Sequence, residues 1–249
     1  MQIRIKFWGK ILIGIAILAA SLYVGFAVVR TTTLHTWGST YPDIQTTRPG
    51  DELVGQSLLR WDHAITINAP ADQVWPWIAQ LGDVRAAYYS YTFIENLIAG
   101  QRMYVNADRI IPEYQHPQPG DGMIMDFLVV HSVEPGSYLL AAGDPAKMPV
   151  NFIWLWQLEP LNASQTRLIV RMQVGENTQS SMQMPPLAGS FIDATGFVME
   201  RKMMEGIKLR AEGGVEPGWY QPAEIALWLL AFAVAIVAAV WFVRRNWLL

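Results

Sequence analysis

Two uncharged apolar segments near the ends of the chain constrain its fold more than any other feature. They cover residues 11–29 and 225–243, and each is 19 residues long. With a helical rise of about 1.5 Å per residue, each would cover roughly the 30 Å hydrocarbon core of a bilayer. We therefore expect two transmembrane helices, with one domain of ordinary size between them.

The positive charges that flank these segments predict their orientation. Arg4, Lys6 and Lys10 precede the first segment, and Arg244 and Arg245 follow the second. Cytoplasmic flanks of membrane spans collect Lys and Arg. The sequence thus predicts a two-pass protein of the cell membrane with both termini in the cytoplasm and the intervening domain outside it.

Each apolar segment has an alternative interpretation. The first also fits a cleaved signal peptide, because residues 25–27 (Gly-Phe-Ala) have the small-x-small pattern of a cleavage site. The second could be a buried core helix, but it has no polar face to present to water. We favour two membrane spans.

The part of the chain between these segments is acidic. Residues 31–222 contain 12 Lys or Arg and 20 Asp or Glu, which leaves a net charge of about −8. Nucleic acid is therefore not an expected partner, since phosphate binding needs a basic surface. The chain has no cysteine, which excludes disulfides, thiolate metal ligands and a cysteine nucleophile.

Hydrophobic periodicity predicts an α+β domain over residues 61–215. Residues 31–60 are rich in Thr, Gly and Pro and are predicted to be an extended lead-in. The predicted elements are strands at 61–68, 123–133, 138–142, 152–158 and 168–174, and helices from residue 70, at 92–99 and at 190–211. In this order an antiparallel sheet wraps a long last helix, which is the helix-grip arrangement. Residues 1–30 and 216–249 would form the two membrane segments with their cytoplasmic flanks.

Several stretches of the domain resemble one protein superfamily. They are RPGDELV, ITINAPADQVWPWIAQLGDVRAAYYSYTFIENL, NADRIIPEYQ and PGDGM. The chain resembles the START-like (SRPBCC) superfamily over residues 37–215, and within it the membrane-anchored bacterial members. Bet v 1-type allergens, polyketide cyclases and lipid-transfer domains belong to this superfamily. The resemblance implies a helix-grip fold whose apolar cavity holds, in many relatives, a lipid, a sterol or a polyketide. The chain departs from the pattern at Arg85-Ala86-Ala87, where two glycines would be expected after the arginine.

Polar side chains cluster in the middle of the domain and are candidates for ligand binding at the mouth of such a cavity. They are Arg85, Tyr88, Tyr89, Tyr91, Glu95 and Asn96, together with Asn106, Asp108, Arg109 and Glu113. The alternative is that Arg85 or Arg109 pairs with Glu95 or Asp108 only to hold two loops together.

Large apolar side chains are the candidates for the cavity wall, since thioethers and aromatic rings adapt to varied ligands. They are Phe127, Trp154, Trp156, Met182, Met184, Met199, Met203 and Met204. Ordinary core filling is the alternative for all of them.

The sequence contains little that indicates catalysis. The four histidines show no metal-ligand spacing, and no nucleophile or phosphate-binding motif is present. His131, if it points inward, and Asp126 are the remaining candidates for an acid or base. We therefore expect membrane-tethered binding of a hydrophobic small molecule or lipid, without chemistry, metal or cofactor. The alternatives are a polyketide cyclase-like or hydrolase-like enzyme and a structural module with a solid core.

Overall fold

The computed structural model of the chain describes residues 29, 33–100, 104–124, 127–144, 146–148, 150–177 and 188–247. The predicted first membrane span therefore lies almost wholly outside the described residues. The chain forms two compact units, one that ends at Glu212 and one that begins at Gly213.

The first unit is built on a six-stranded antiparallel sheet. Its strands lie in the order β1-β6-β5-β4-β3-β2, so the first strand pairs with the last. The strands are β1 (Ser57–Ile67), β2 (Gly122–Ile124), β3 (Leu128–Glu134), β4 (Tyr138–Gly143), β5 (Val150–Asn162) and β6 (Gln165–Glu176). The α+β class and the antiparallel sheet predicted from the sequence are confirmed, and the topology is consistent with a helix-grip fold.

Helices lie before, between and after the strands. They are α1 (Tyr41–Gln45), α2 (Asp51–Val54), α3 (Ala71–Ala79), α4 (Thr92–Ala99), α5 (Ala188–Ala211) and α6 (Tyr220–Trp247). The long helix α5 packs on α3 and on β1. The prediction of helix 92–99 is confirmed to the residue. The terminal helix begins at Ala188, two residues before the predicted start, and ends at Ala211 as predicted.

The inner face of the sheet and α5 form the core. Alternate residues of β5, namely Phe152, Trp154, Trp156 and Leu158, all belong to this core or pack against it. Glycine lets α5 approach closely, because a Cβ atom on Gly206 would lie 2.4 Å from the backbone oxygen of Tyr89. The predicted shared face of these four residues is confirmed, but the prediction that only this side of the sheet is apolar is wrong, because Ile153 and Leu155 on the other face of β5 are buried with Val54 and Leu140.

Residues 31–60 are not the extended lead-in that the sequence predicted. They contain α1 and α2, and β1 begins at Ser57 instead of Trp61. Thr40 caps α1 through a reciprocal capping box with Asp43, with a proline in the first turn. These helices have five and four residues, too few to show a hydrophobic period, so periodicity could not reveal them.

Within residues 31–60, helices α1 and α2 cover part of the outer face of the sheet, and a buried arginine on β6 holds them there. Arg171 is fully buried on β6, and each of its five N–H groups donates a hydrogen bond. Two go to the carboxylates of Asp62 (2.6 Å) and Asp51 (2.7 Å). The other three go to the backbone oxygens of residues 43, 44 and 46. Strand β1 is consequently buried on both faces, whereas the sequence suggested a half-buried strand.

The predicted strand 123–133 is also wrong as a single element. It is a pair of antiparallel strands, β2 and β3, with Gly122 opposite Val129. A β-bulge follows Val130, and His131 is exposed. The bulge interrupts the alternation of faces, which is why His131 does not point inward as the sequence suggested.

The second unit contains helix α6. Its residues Tyr220–Ala238 form a helix that is long and apolar enough to cross a membrane. Large apolar side chains along it, such as Leu227, Trp228 and Phe232, are exposed. Among the described residues this is the one helix that meets the criteria for a span.

Replacing Arg171 should destabilise the fold strongly. Arg171→Met leaves Asp62 with Arg60 as its remaining partner (2.7 Å) and removes the guanidinium from Asp51 and from the backbone oxygens of residues 43, 44 and 46. The loss of one member of a buried pair costs about 3–5 kcal/mol. We expect that loss in the free energy of unfolding, measured by chemical denaturation of the detergent-solubilised chain. Glu205→Gln, which breaks the exposed pair with Arg201 (2.9 Å), should cost at most about 0.5 kcal/mol. Equal losses in the two variants would contradict a structural role for Arg171.

Candidate functional site

A cavity of about 270 Å³ lies inside the first unit, bordered by the inner face of the sheet, α4 and α5. Its aromatic lining residues are Trp61, Tyr88, Tyr104, Phe127 and Trp154. Most of the remaining wall is aliphatic or sulfur-containing, and includes Met172, Met199 and Met203. The interior is therefore not solid, and its walls are suited to an apolar ligand.

The aromatic wall combines strand residues, Trp61 and Trp154, with loop residues. The ring of Trp154 stacks on Tyr88 with 5.5 Å between centroids, and Tyr88 lies 6.3 Å from Tyr104. Trp156 lies 4.5 Å from Trp154, and its indole N–H donates to the Met203 sulfur at 3.4 Å. Trp156 was predicted to bind ligand, but it is fully buried in the core and does not line the cavity.

Glu95 is the first of two carboxyl groups that line the cavity. It lies in the first turn of α4, and only 6% of it is exposed. Its Oε2 atom has no hydrogen-bond partner among the described residues. Burial raises the pKa of Glu95 to about 7, because an apolar site disfavours the charged form. Glu95 is therefore poised to gain or lose a proton near neutral pH.

Glu200, on α5, is the second carboxyl group. Its Oε1 atom lies 2.5 Å from His63 Nδ1, and His63 Nε2 lies 2.7 Å from the backbone oxygen of Leu34. Both ring nitrogens of His63 face acceptors, an arrangement that only the charged imidazolium satisfies. Burial opposes that charge, but the Glu200 carboxylate outweighs it, and the pKa of His63 is raised. Glu200 is thus held as one half of a buried ion pair, with Oε2 unpartnered among the described residues.

Other polar groups of the cavity wall bind the backbone. The Tyr88 hydroxyl donates to the oxygen of Met123 at 2.6 Å, and the Ser90 hydroxyl donates to the oxygen of Met199 at 2.8 Å. Trp154 Nε1, by contrast, is a buried donor with no partner among the described residues. The unpartnered polar atoms of the described wall are therefore two carboxylate oxygens and one indole N–H.

The structure brings together part of the predicted ligand-binding set. Tyr88, Glu95, Phe127, Trp154, Met199 and Met203 line the cavity. The predicted residues that lie outside its lining are Arg85, Tyr89, Tyr91, Asn106, Asp108, Arg109 and Trp156. That the lining residues bind a ligand stays a prediction.

Arg85 holds loops together, but with partners other than the predicted ones. It donates to Asp121 at 3.2 Å and to the backbone oxygens of Ala79 and Tyr114 at 2.9 and 2.8 Å. Asp108 and Arg109 are exposed. The expected pairing of Arg85 with Glu95 or Asp108 is therefore wrong, which leaves the Glu95 carboxyl available to the cavity.

The alanines of Arg85-Ala86-Ala87, where the resemblance predicts glycines, include one residue with an unusual backbone conformation. Ala87 has a φ of 55°, in the left-handed region that favours glycine. Its N–H still donates to the oxygen of Gly82 at 2.9 Å. The turn between Gly82 and Ala87 thus forms without the glycine that the resemblance predicts at position 87.

Sequence reasoning missed Glu200 and Trp61 as cavity residues. Glu200 precedes Met203, Met204 and Ile207 by three, four and seven residues, which is the spacing of the buried face of a helix. A carboxylate at such a position was the available signal. Asp126, Met182 and Met184 lie outside the described residues. Among the residues that the structure describes, no group of His, Asp or Glu could hold a metal ion.

Comparison with known proteins gives only distant similarities. No protein-family model matches the chain, and no curated protein matches it either. A protein from Thermobifida fusca is 9% identical, with coverage of 64% of this chain and 97% of the other and a TM-score of 0.37. The Zhui aromatase/cyclase from Streptomyces sp. R1128 is 16% identical, with coverage of 63% and 99% and a TM-score of 0.30. The di-domain aromatase/cyclase BexL is 11% identical, with coverage of 61% and 47% and a TM-score of 0.34.

Replacing Glu95 should stabilise the protein in a pH-dependent way. Between its ordinary pKa of 4.5 and its raised pKa of about 7, the folded chain keeps a proton that the unfolded chain releases. The free energy of unfolding therefore falls as pH rises through this range, by roughly 3 kcal/mol. Glu95→Gln removes that loss, so the variant should unfold at a higher temperature than the wild type above pH 7 and at a similar temperature at pH 4.5.

Melting curves recorded across this pH range test the expectation. The exposed carboxylate of Glu205 supplies the control, because Glu205→Gln should give a small difference from the wild type that is similar at each pH. A Glu95→Gln difference that does not grow with pH would show that Glu95 does not titrate in this range.

Proposed function

We propose that the chain binds a hydrophobic small molecule, or the apolar part of a lipid, in this cavity without converting it. The observation that carries this function is a cavity of about 270 Å³ with apolar walls and few unpartnered polar atoms. Few convergent polar groups within an apolar pocket are typical of small-molecule sites. The alternative of a solid structural module is contradicted by the cavity itself.

The volume of the cavity limits the size of the bound portion. An engineered apolar cavity of about 150 Å³ takes up one benzene molecule. The volume of about 270 Å³ is therefore suited to two fused rings or to an alkyl chain of similar volume. A larger lipid would have only part of its structure inside.

We also propose that the protein is tethered to the cell membrane by two spans, with both termini in the cytoplasm and the domain outside. Support comes from the basic residues that flank residues 11–29 and 225–243 and from the exposed apolar side chains of α6. Such a tether would keep the domain beside a bilayer that contains hydrophobic ligands. Reporter fusions at residue 120 and at the C-terminus test this topology, and a cytoplasmic reporter at residue 120 would contradict it.

An enzyme that acts on a hydrophobic substrate is the second candidate, and one observation favours it. Glu95, with its pKa raised to about 7, and Glu200, paired with His63, line the same cavity. A proton donor and a proton acceptor in one pocket are what acid–base chemistry requires. Recovery of a bound compound with its mass unchanged after prolonged incubation would favour binding over catalysis.

Filling the cavity should abolish binding. Met199 lines the cavity and Val198, next to it on α5, is exposed, so Met199→Trp and Val198→Trp form a matched pair. Each adds the same indole, but only the first occupies space that a ligand needs. We expect 2-naphthalenemethanol to bind the wild type and Val198→Trp in equilibrium dialysis of the nanodisc-reconstituted chain, and to lose at least about tenfold in affinity for Met199→Trp, because the bulky side chain excludes the rings.

The same pair of variants controls for partition of the probe into lipid, which is equal in both. Compounds that co-purify with the wild type can be identified by solvent extraction and mass spectrometry, and they should be absent from Met199→Trp. Equal retention of the probe by both tryptophan variants would show that the cavity is not the binding site.

A further inference from the structure

The charge of the cavity wall selects among hydrophobic ligands. Glu95 and Glu200 are 6% and 3% exposed, and each has a buried carboxylate oxygen with no hydrogen-bond partner among the described residues. None of the described residues that line the cavity is Lys, Arg or His. We propose that the ligand is a hydrophobic amine, whose protonated nitrogen binds between these carboxyl groups while its apolar body fills the cavity. This proposal rests on the proposed function, because it specifies the class of ligand that the cavity binds.

A cation can contact both unpartnered oxygens, whereas an anion can contact Glu95 only when this carboxyl is protonated. An ammonium group has N–H donors and no acceptor, and unpartnered carboxylate oxygens are acceptors. A carboxylate or phosphate ligand would place like charges together at low dielectric, which disfavours its binding. We therefore expect fatty acids and acidic lipid head groups to bind less tightly than amines of similar size.

The distribution of charge in the wall leaves one carboxyl group without a counter-charge among the described residues. His63 and Glu200 form an ion pair whose charges cancel. Within the described part of the chain Glu95 has no such partner, since Arg85 binds Asp121 instead. A bound ammonium supplies the missing positive charge at Glu95 and donates a second hydrogen bond to Glu200.

Aromatic rings in the same wall add to the recognition of a cation. Tyr88 and Trp154 are stacked, and Trp61, Tyr104 and Phe127 also line the cavity. Ring faces attract organic cations, more strongly when water is excluded. The indole N–H of Trp154 is a donor available to a hydroxyl, ether or carbonyl oxygen elsewhere on the ligand.

The charge of the whole domain acts in the same direction. Residues 31–222 carry a net charge of about −8. An acidic domain raises the local concentration of cations and lowers that of anions. Long-range attraction and the local carboxylates therefore favour the same class of ligand.

Three naphthalene compounds of matched size test the inference: 2-naphthylmethylamine, 2-naphthalenemethanol and 2-naphthoic acid. At neutral pH the amine is protonated and the acid is ionised. In equilibrium dialysis against the reconstituted full chain, we expect the amine to bind about tenfold to a hundredfold more tightly than the alcohol, and the acid to bind most weakly. In Glu95→Gln the ratio of amine to alcohol affinity should fall by at least about tenfold.

The control is Glu205→Gln, which removes an exposed carboxylate of the same helix that carries Glu200 and should keep the wild-type ratio. Equal affinities for amine and alcohol in the wild type, or a Glu95→Gln ratio unchanged from the wild type, would overturn the amine inference while binding in the cavity stands. Failure of all three compounds to bind the wild type would overturn the proposed function as well.

Discussion

The hydrogen bonds of Arg171 are the interaction on which the rest of the first unit depends. They attach residues 43–51 to the outer face of the sheet, where the guanidinium also binds Asp62 of β1. The chain that enters β1 is thereby fixed on both sides of the strand. On the inner side, the Leu34 oxygen binds His63, and His63 in turn binds Glu200. A constraint on the outer face thus helps to position a carboxyl group in the cavity.

The cavity is maintained at a cost in stability. A leucine at position 95 would bury without the desolvation penalty that raises the pKa of the glutamate, and a filled cavity would add packing contacts. Unpartnered buried polar atoms are rare in folded proteins, and here Glu95, Glu200 and Trp154 place such atoms at one cavity. Local departures of this kind from optimal packing are typical of functional sites.

Hydrophobic periodicity correctly predicted the elements whose structure depends on residues close together in the sequence. The alternation in β5 and the extent of α4 follow from side-chain periodicity and are found as expected. The β-bulge at His131 and the partners of Arg171 depend on residues distant in the chain, such as Asp51, which is 120 positions away. Glu95 was identified as a candidate because it lies among tyrosines, but Glu200 was not, because its link to His63 spans 137 positions. Prediction therefore failed where tertiary contacts decide the role of a residue.

The two carboxyl groups differ in how they can interact with a ligand. Glu200 is paired with His63, whereas Glu95 has no counter-charge among the described residues and titrates near neutral pH. An ammonium bound at Glu95 would favour the carboxylate and lower its pKa, since an opposite charge stabilises the ionised form. A cationic ligand would therefore remove Glu95 as a proton donor. Recognition of an amine and acid catalysis by Glu95 are thus opposed uses of the same cavity, and the charge of the natural ligand determines which of them this site can perform.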